Sequence, residues 1–322
     1  MKALILKDIG RLVCEDIPEP VPRPGKVSVR VTRCALCRTD AKMCFQGQRD
    51  LTLPRVLGHE ISGIREDTAG RVVAWPGESC GMCSFCRSGN ENLCDSIRIL
   101  GFNSDGGLAE KIMIAESSLA AIPPCLSDDI ACLAEPLACA INAIERLRPG
   151  NGDSLLIFGG GSLGLLLALA AKAFGLIPSI VETNPDKLIK SRIFREQMAI
   201  NSSQSVKPDY YDLAINACPS IEAVMRGVTR IAKGGRFCLF SGLAQHDTVP
   251  AALLNEIHYR QLHLVGAYGC TLRNIKTALR LLDEFQDTAQ FIIEKRVDME
   301  EVVEAMKDVV SGQTLKIVAK IS

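Results

Sequence analysis

Apolar and polar residues alternate in short runs over the first 120 positions, then shift to longer apolar blocks. Val27-Ser28-Val29-Arg30-Val31 has the period of two expected of a strand, with Pro18, Pro20, Pro22 and Pro24 forming an extended lead-in. Gly70–Trp75 and Ala109–Ile114 supply further strand-like runs between Gly-rich turns. Near Ser127-Asp128-Asp129 the character changes, and Ser or Asp there is suited to cap a helix running through Ala131 to Leu147. Pro149-Gly150-Asn151-Gly152 breaks it.

Beyond the break the pattern predicts strand, Gly-rich turn and helix: Ser154–Phe158, Gly159–Gly161, Leu163–Phe174. A second strand, Ser179–Glu182, precedes a helix from Pro185 towards Met198. Tyr211–Ala217 and Arg236–Ser241 read as buried strands joined by the helical stretch Ser220–Ala232, and His263–Ala267 as a last strand. This βαβ alternation predicts a doubly wound parallel sheet. Only twelve residues separate Met198 from Tyr211. Fully extended they span at most about 40 Å, against roughly 15 Å for crossing three strand spacings. The third crossover helix is therefore expected to be missing, leaving the adenine side of a bound cofactor more exposed. The tail, Thr271–Ser322, returns to helix, strand, helix, strand.

Composition narrows the classes. The 322 residues, at roughly 150 per domain, suggest two domains. Thirty-seven basic residues balance thirty-seven acidic ones, which argues against nucleic acid or an anionic membrane as partner. The longest apolar stretch, Leu163–Ile177, is interrupted by Lys172 and too short to span a bilayer. The opening residues do not resemble an export signal, so a reducing cytoplasm is expected, and the fourteen cysteines are expected to be thiols or metal ligands.

Three constellations carry chemistry. Gly159-Gly160-Gly161-Ser162-Leu163-Gly164 fits G-x-G-x-x-G between a strand and a helix. In that context Gly159 makes the turn, Gly161 admits a pyrophosphate, Gly164 packs helix on strand, and the helix N-terminus offers N–H groups at Ser162 and Leu163. Glu182, 23 residues after Gly159, suits the adenosine ribose hydroxyls and repels a 2′-phosphate, favouring NAD over NADP. Cys80, Cys83, Cys86 and Cys94 have spacing suited to one tetrahedral Zn²⁺ with no open position. An iron–sulfur cluster would continue C-x3-C-P, whereas here seven residues precede Cys94 and Asp95 follows it. The third set is dispersed: Cys37-Arg38-Thr39-Asp40, Gly58-His59-Glu60 and Glu135-Pro136. Its residue types suit a catalytic zinc, but no local spacing requires them to converge.

In this order, with Leu57-Gly58-His59-Glu60, Asp105-Gly106-Gly107 and Ala134-Glu135-Pro136-Leu137, these segments resemble the zinc-dependent medium-chain alcohol and polyol dehydrogenases over essentially the whole chain. The resemblance implies an α/β protein: a GroES-like, mostly β catalytic domain from residues 1–137 and 268–322, and a Rossmann NAD-binding domain over 138–267. It implies two Zn²⁺ per chain, the catalytic one held by Cys37, His59 and Glu135, with Glu60 moving onto or off the metal. Thr39 then passes the alcohol proton, Asp40 supports His59, and Arg38 and Lys187 contact the cofactor. The implied reaction is hydride transfer between a small-molecule alcohol (secondary alcohol, polyol or amino-polyol) and NAD, in a homodimer or homotetramer. Glu rather than Cys at position 135 leans towards polyols. Many relatives carry His where this chain has Lys42, which leaves the relay beyond Thr39 unassigned. Two other readings remain: a zinc-free quinone or enone reductase, and a non-catalytic zinc-scaffolded binding protein of the same fold. Cys132 and Cys139, seven apart, are expected on one helical face as packing residues, and Cys44 is a candidate to line the substrate pocket.

Overall fold

The computed structural model describes residues 1–322, which divide into two compact units: Met1–Ala138 with Cys270–Ser322, and Cys139–Gly269. No helix is long and apolar enough to cross a membrane.

The first unit is mostly β. Its largest sheet has seven strands, ordered Leu119–Ala121, Arg71–Ala74, Glu60–Arg65, Lys26–Leu36, Lys316–Lys320, Ile293–Asp298, with Lys111–Ala115 also pairing Lys26–Leu36. Lys26–Leu36 is its spine, because Val29 and Val31 alternate into the core as the period of two requires. The C-terminal strand Lys316–Lys320 lies antiparallel to the spine's end, Ala319 opposite Cys34, so the chain's last residues join a sheet whose spine is Lys26–Leu36. A second sheet joins Lys2–Asp8 to Arg11–Asp16 and Arg55–Val56. Cys44 is buried in this unit's core, at 2% exposure.

The helix expected to run unbroken to Leu147 is split into Asp128–Ala131 and Ala134–Leu147. Ser127 does cap the first piece, accepting the Ile130 N–H. Pro136 accounts for the break: it has no N–H for the carbonyl four residues back, and its ring clashes there, at Cys132. Cys132 therefore sits in the turn between the pieces, buried, and does not share a helical face with Cys139.

The second unit carries a six-stranded parallel sheet ordered Asn201–Ser203, Ile177–Val181, Ser154–Phe158, Tyr211–Asn216, Ile231–Leu239, His263–Gly266. Strand order reverses beside Ser154–Phe158, which defines the switch point where ligands of doubly wound sheets bind. The helix Ser162–Ala173 is buried from Gly164 to Ala171, including four leucines at 0% exposure. Each such leucine contributes about 1.5–3 kcal/mol of apolar burial, so this helix is a central strut. The helix from Pro185 bends at Ser191, whose hydroxyl bonds back to the Lys187 carbonyl, giving Pro185–Lys190 and Arg192–Gln197. Residues 204–210 contain no helix. A three-residue third strand runs directly into the fourth, and the third crossover helix is missing as expected.

Candidate metal centres and cofactor site

In the first unit, the spine strand ends at Leu36 and the helix Arg38–Gln46 begins at once, with Cys37 as its N-cap. The Thr39 N–H points at Cys37 Sγ at 3.4 Å, and Asp40 Oδ2 accepts the Cys37 N–H at 3.3 Å. This reciprocal cap fixes the thiol at the helix start. Asp40 is fully buried, and its other oxygen lies 3.0 Å from His59 Nδ1 while accepting the Gly58 N–H at 3.1 Å. The imidazole is thereby oriented, leaving Nε2 for a metal if Nδ1 carries the proton. Phe102 packs edge-on against the His59 ring, centroids 5.4 Å apart. Burial pulls the His59 pKa down, but Asp40 and Cys37 together hold it well above the ordinary value.

Cys37, His59 and Glu60 offer one ligand atom each, all within 4.8 Å of one another. Glu60 is buried, and both of its oxygens lie 2.8 Å from Lys316 Nζ. Burial acts to lower the Lys316 pKa, but the Glu60 carboxylate outweighs it and raises that value. Lys316 has no signal in the sequence, because it lies 256 positions from Glu60 and reads as an ordinary charge on the last strand. Glu135 is not brought into this trio. It stands at the start of its helix, within 4.8 Å of Cys270 Sγ. Arg38 is exposed and lies over the Gly312 backbone, where a Cβ would be 3.2 Å from its guanidinium carbon. Lys42 is half-buried, and that burial together with Arg38 lowers its pKa.

Cys80, Cys83, Cys86 and Cys94 converge with their sulfurs within 4.8 Å of one another. Backbone N–H groups are aimed at the sulfurs: Cys80 N–H at Cys94 Sγ, 3.3 Å, and Cys83 N–H at Cys80 Sγ, 3.4 Å. Such donors favour thiolate, and the Met82 and Cys83 amides lower the Cys80 pKa to about 6. Cys86, by contrast, is pushed up to about 11 by desolvation and by Cys83. Four sulfurs this close cannot all ionise unless a cation shares their charge, so the donor set fits a closed tetrahedral Zn²⁺.

In the second unit the Gly-rich turn has the geometry a dinucleotide requires. Gly159 adopts φ +110°, and a Cβ on Gly164 would sit 1.8 Å from the Gly159 carbonyl. The nearest neighbour to a Cβ on Gly161 would be Lys187 Nζ at 3.9 Å, so glycine keeps the space above the helix open. No side chain caps that helix, and its first N–H groups, including those of Ser162 and Leu163, are suited to an anion. Glu182 is buried at the end of its strand, one oxygen accepting the Gly160 N–H and the other the Asn184 N–H, both at 2.8 Å. Lone pairs remain on each oxygen for ribose hydroxyls. Lys187 Nζ stands 4.0 Å from Glu182.

This combination of a β unit closed by both chain ends, a cysteine lobe and a parallel-sheet unit with a dinucleotide turn defines a class of two-part oxidoreductases. Residues 23–124 match the alcohol dehydrogenase GroES-like domain. The chain is 31% identical to D-altritol 5-dehydrogenase of Agrobacterium fabrum over 94% of both sequences, and 28% identical to sorbitol dehydrogenase of Halalkalibacterium halodurans over 98% of both. The fold matches that of 2R,3R-butanediol dehydrogenase from Bacillus subtilis with a TM-score of 0.88 at 22% identity, covering 100% of this chain and 99% of that one. The chain belongs to the zinc-type medium-chain alcohol and polyol dehydrogenases.

Proposed function

We propose that the protein oxidises a secondary alcohol of a polyol or amino-polyol with NAD as hydride acceptor, using one catalytic and one structural zinc per chain. The convergence of Cys37, His59 and Glu60 carries this reading, since it joins a thiol, an imidazole and a carboxylate apart from the four-cysteine lobe. Glu135, which stands outside that trio but whose charge acts on Lys316 together with those of Glu60 and Cys37, is the further ligand we assign to the catalytic ion. A zinc ion held there supplies Lewis acidity that lowers the pKa of the substrate hydroxyl.

The chain's own residues do the rest. Asp40 holds His59 and the Cys37 loop in one arrangement through a single carboxylate. Lys316 balances the Glu60 charge while that carboxylate is off the metal. The Thr39 hydroxyl, two residues past Cys37, takes the departing hydroxyl proton towards solvent. Gly159, Gly161, Ser162, Leu163 and Gly164 receive the pyrophosphate, and Arg38 and Lys187 add positive charge for the cofactor. Glu182 receives the adenosine ribose and disfavours a 2′-phosphate, which supports NAD. The names of the altritol and sorbitol dehydrogenases support a polyol substrate.

We further propose a homodimer or homotetramer in a reducing, cytoplasmic setting. The exposed edge strand His263–Gly266 supports self-association, and fourteen cysteines outside any disulfide suit such a compartment.

The test is NADH formation across polyols, amino-polyols, simple secondary alcohols and threonine, repeated with NADP. The expected result is turnover of a polyol or amino-polyol with NAD and a clear preference over NADP. Turnover confined to simple alcohols, or a preference for NADP, would contradict the reading.

A further inference from the structure

Asn216 ends the fourth strand of the parallel sheet and is completely buried. Its side-chain amide donates to the Cys218 carbonyl at 3.2 Å and to the Ser241 carbonyl at 3.0 Å. Its Oδ1 accepts the Phe240 N–H at 2.8 Å, and its backbone carbonyl accepts the Ser241 N–H at 3.1 Å. Both amide hydrogens are thus used, and one side chain joins the loops leaving two neighbouring strands at their carboxyl ends. The first loop is also bound to the Gly-rich strand: the Ala217 N–H donates to the Phe158 carbonyl at 2.8 Å. A Cβ on Gly159 would lie 3.2 Å from the Ala217 carbonyl oxygen.

Position in the sheet gives this clamp a functional meaning. A dinucleotide crosses the carboxyl edge at the switch point, one nucleotide over each half of the sheet. Glu182 belongs to the half built from Ser154–Phe158, Ile177–Val181 and Asn201–Ser203, which is the adenosine side. The loops held by Asn216 leave the other half, so they border the nicotinamide side.

We propose that Asn216 is a positioning residue for the nicotinamide half of the cofactor, acting through the two loops it joins and not by touching the ligand. The proposal rests on the NAD-binding reading above. No other small side chain reproduces the clamp. Alanine leaves two carbonyls and one N–H without their partner, and aspartate turns both donated bonds into contacts between oxygens.

The experiment compares Asn216→Ala and Asn216→Ser with the unaltered holoenzyme, measuring dissociation constants for NADH and for AMP, a probe of the adenosine side alone. Loss of loop order is expected to weaken NADH by about 10–100-fold in the alanine variant and to raise KM for NAD, while AMP affinity stays unchanged. The serine variant, with one hydroxyl for one of the carbonyls, should fall between the two; it carries the comparison if the alanine protein does not fold. Equal weakening of NADH and AMP would mean general loosening of the unit and would overturn the proposal, as would unchanged NADH binding. If the unaltered protein binds neither NADH nor AMP, the cofactor reading fails instead, so the two failures are distinguishable.

Discussion

Asp40 links three parts of the candidate metal centre with two oxygens: the Cys37 N–H, the Gly58 N–H and the His59 ring. Asparagine in its place is nearly isosteric, but its amide nitrogen must face one of these donors. Asp40→Asn is therefore expected to lower zinc affinity at the catalytic centre about 10–100-fold, measured by competition with a chelator, while the four-cysteine lobe keeps its ion. Simultaneous loss of both ions would contradict this division. At this scale the sequence was informative where partners are local. Cysteines 3, 3 and 8 positions apart can close on one ion because a short loop allows it. Lys316 is the opposite case. Its partner Glu60 is reached only because the last strand pairs with the spine of the first sheet, and nothing near Lys316 in the chain announces a buried ammonium.

Asp129 shows how elements are held together in the first unit. Its carboxylate lies 2.5 Å from Arg33 on the spine strand and 2.5 Å from Arg296 on Ile293–Asp298. Burial alone would raise its pKa, but the two guanidiniums prevail and hold it below the ordinary 3.8. The unfolded chain therefore takes up this proton at higher pH than the folded protein does. The contribution to stability is complete above 3.8 and is lost as pH falls through the lower folded value. Asp129→Asn is expected to cost about 1 kcal/mol near neutral pH, a small figure because Arg296 is solvent-exposed. The difference should shrink in urea unfolding as pH drops below 3.8; a constant difference would mean that the Asp129 ion pairs do not stabilise the fold.

Elements were legible where the hydrophobic period was long and its ends were marked, as in Ser154–Phe158 and the helix after it. They were less legible where one residue overrode the pattern. Pro136 splits the helix begun at Asp128, which moves Cys132 off the face it was expected to share with Cys139. Ser191 bends the helix begun at Pro185 in a comparable way. The missing crossover helix followed from chain length, since seven residues between Ser203 and Tyr211 leave room for an extended connection only.

At the scale of the whole molecule, the chain divides its work between a β unit that gathers thiol, imidazole and carboxylate groups and a parallel-sheet unit with a dinucleotide turn. Zero net formal charge suits a protein whose partners are small molecules rather than polyanions. We assign to the Cys37 cluster a catalytic zinc separate from the structural one. Metal analysis of the unaltered protein and of Cys37→Ser, with NADH formation followed on the same samples, tests this assignment most directly. Two zinc ions per chain are expected to fall to one, with turnover reduced at least about 100-fold and NADH binding retained. A Cys37→Ser protein that keeps two zinc ions and undiminished turnover would contradict the assignment.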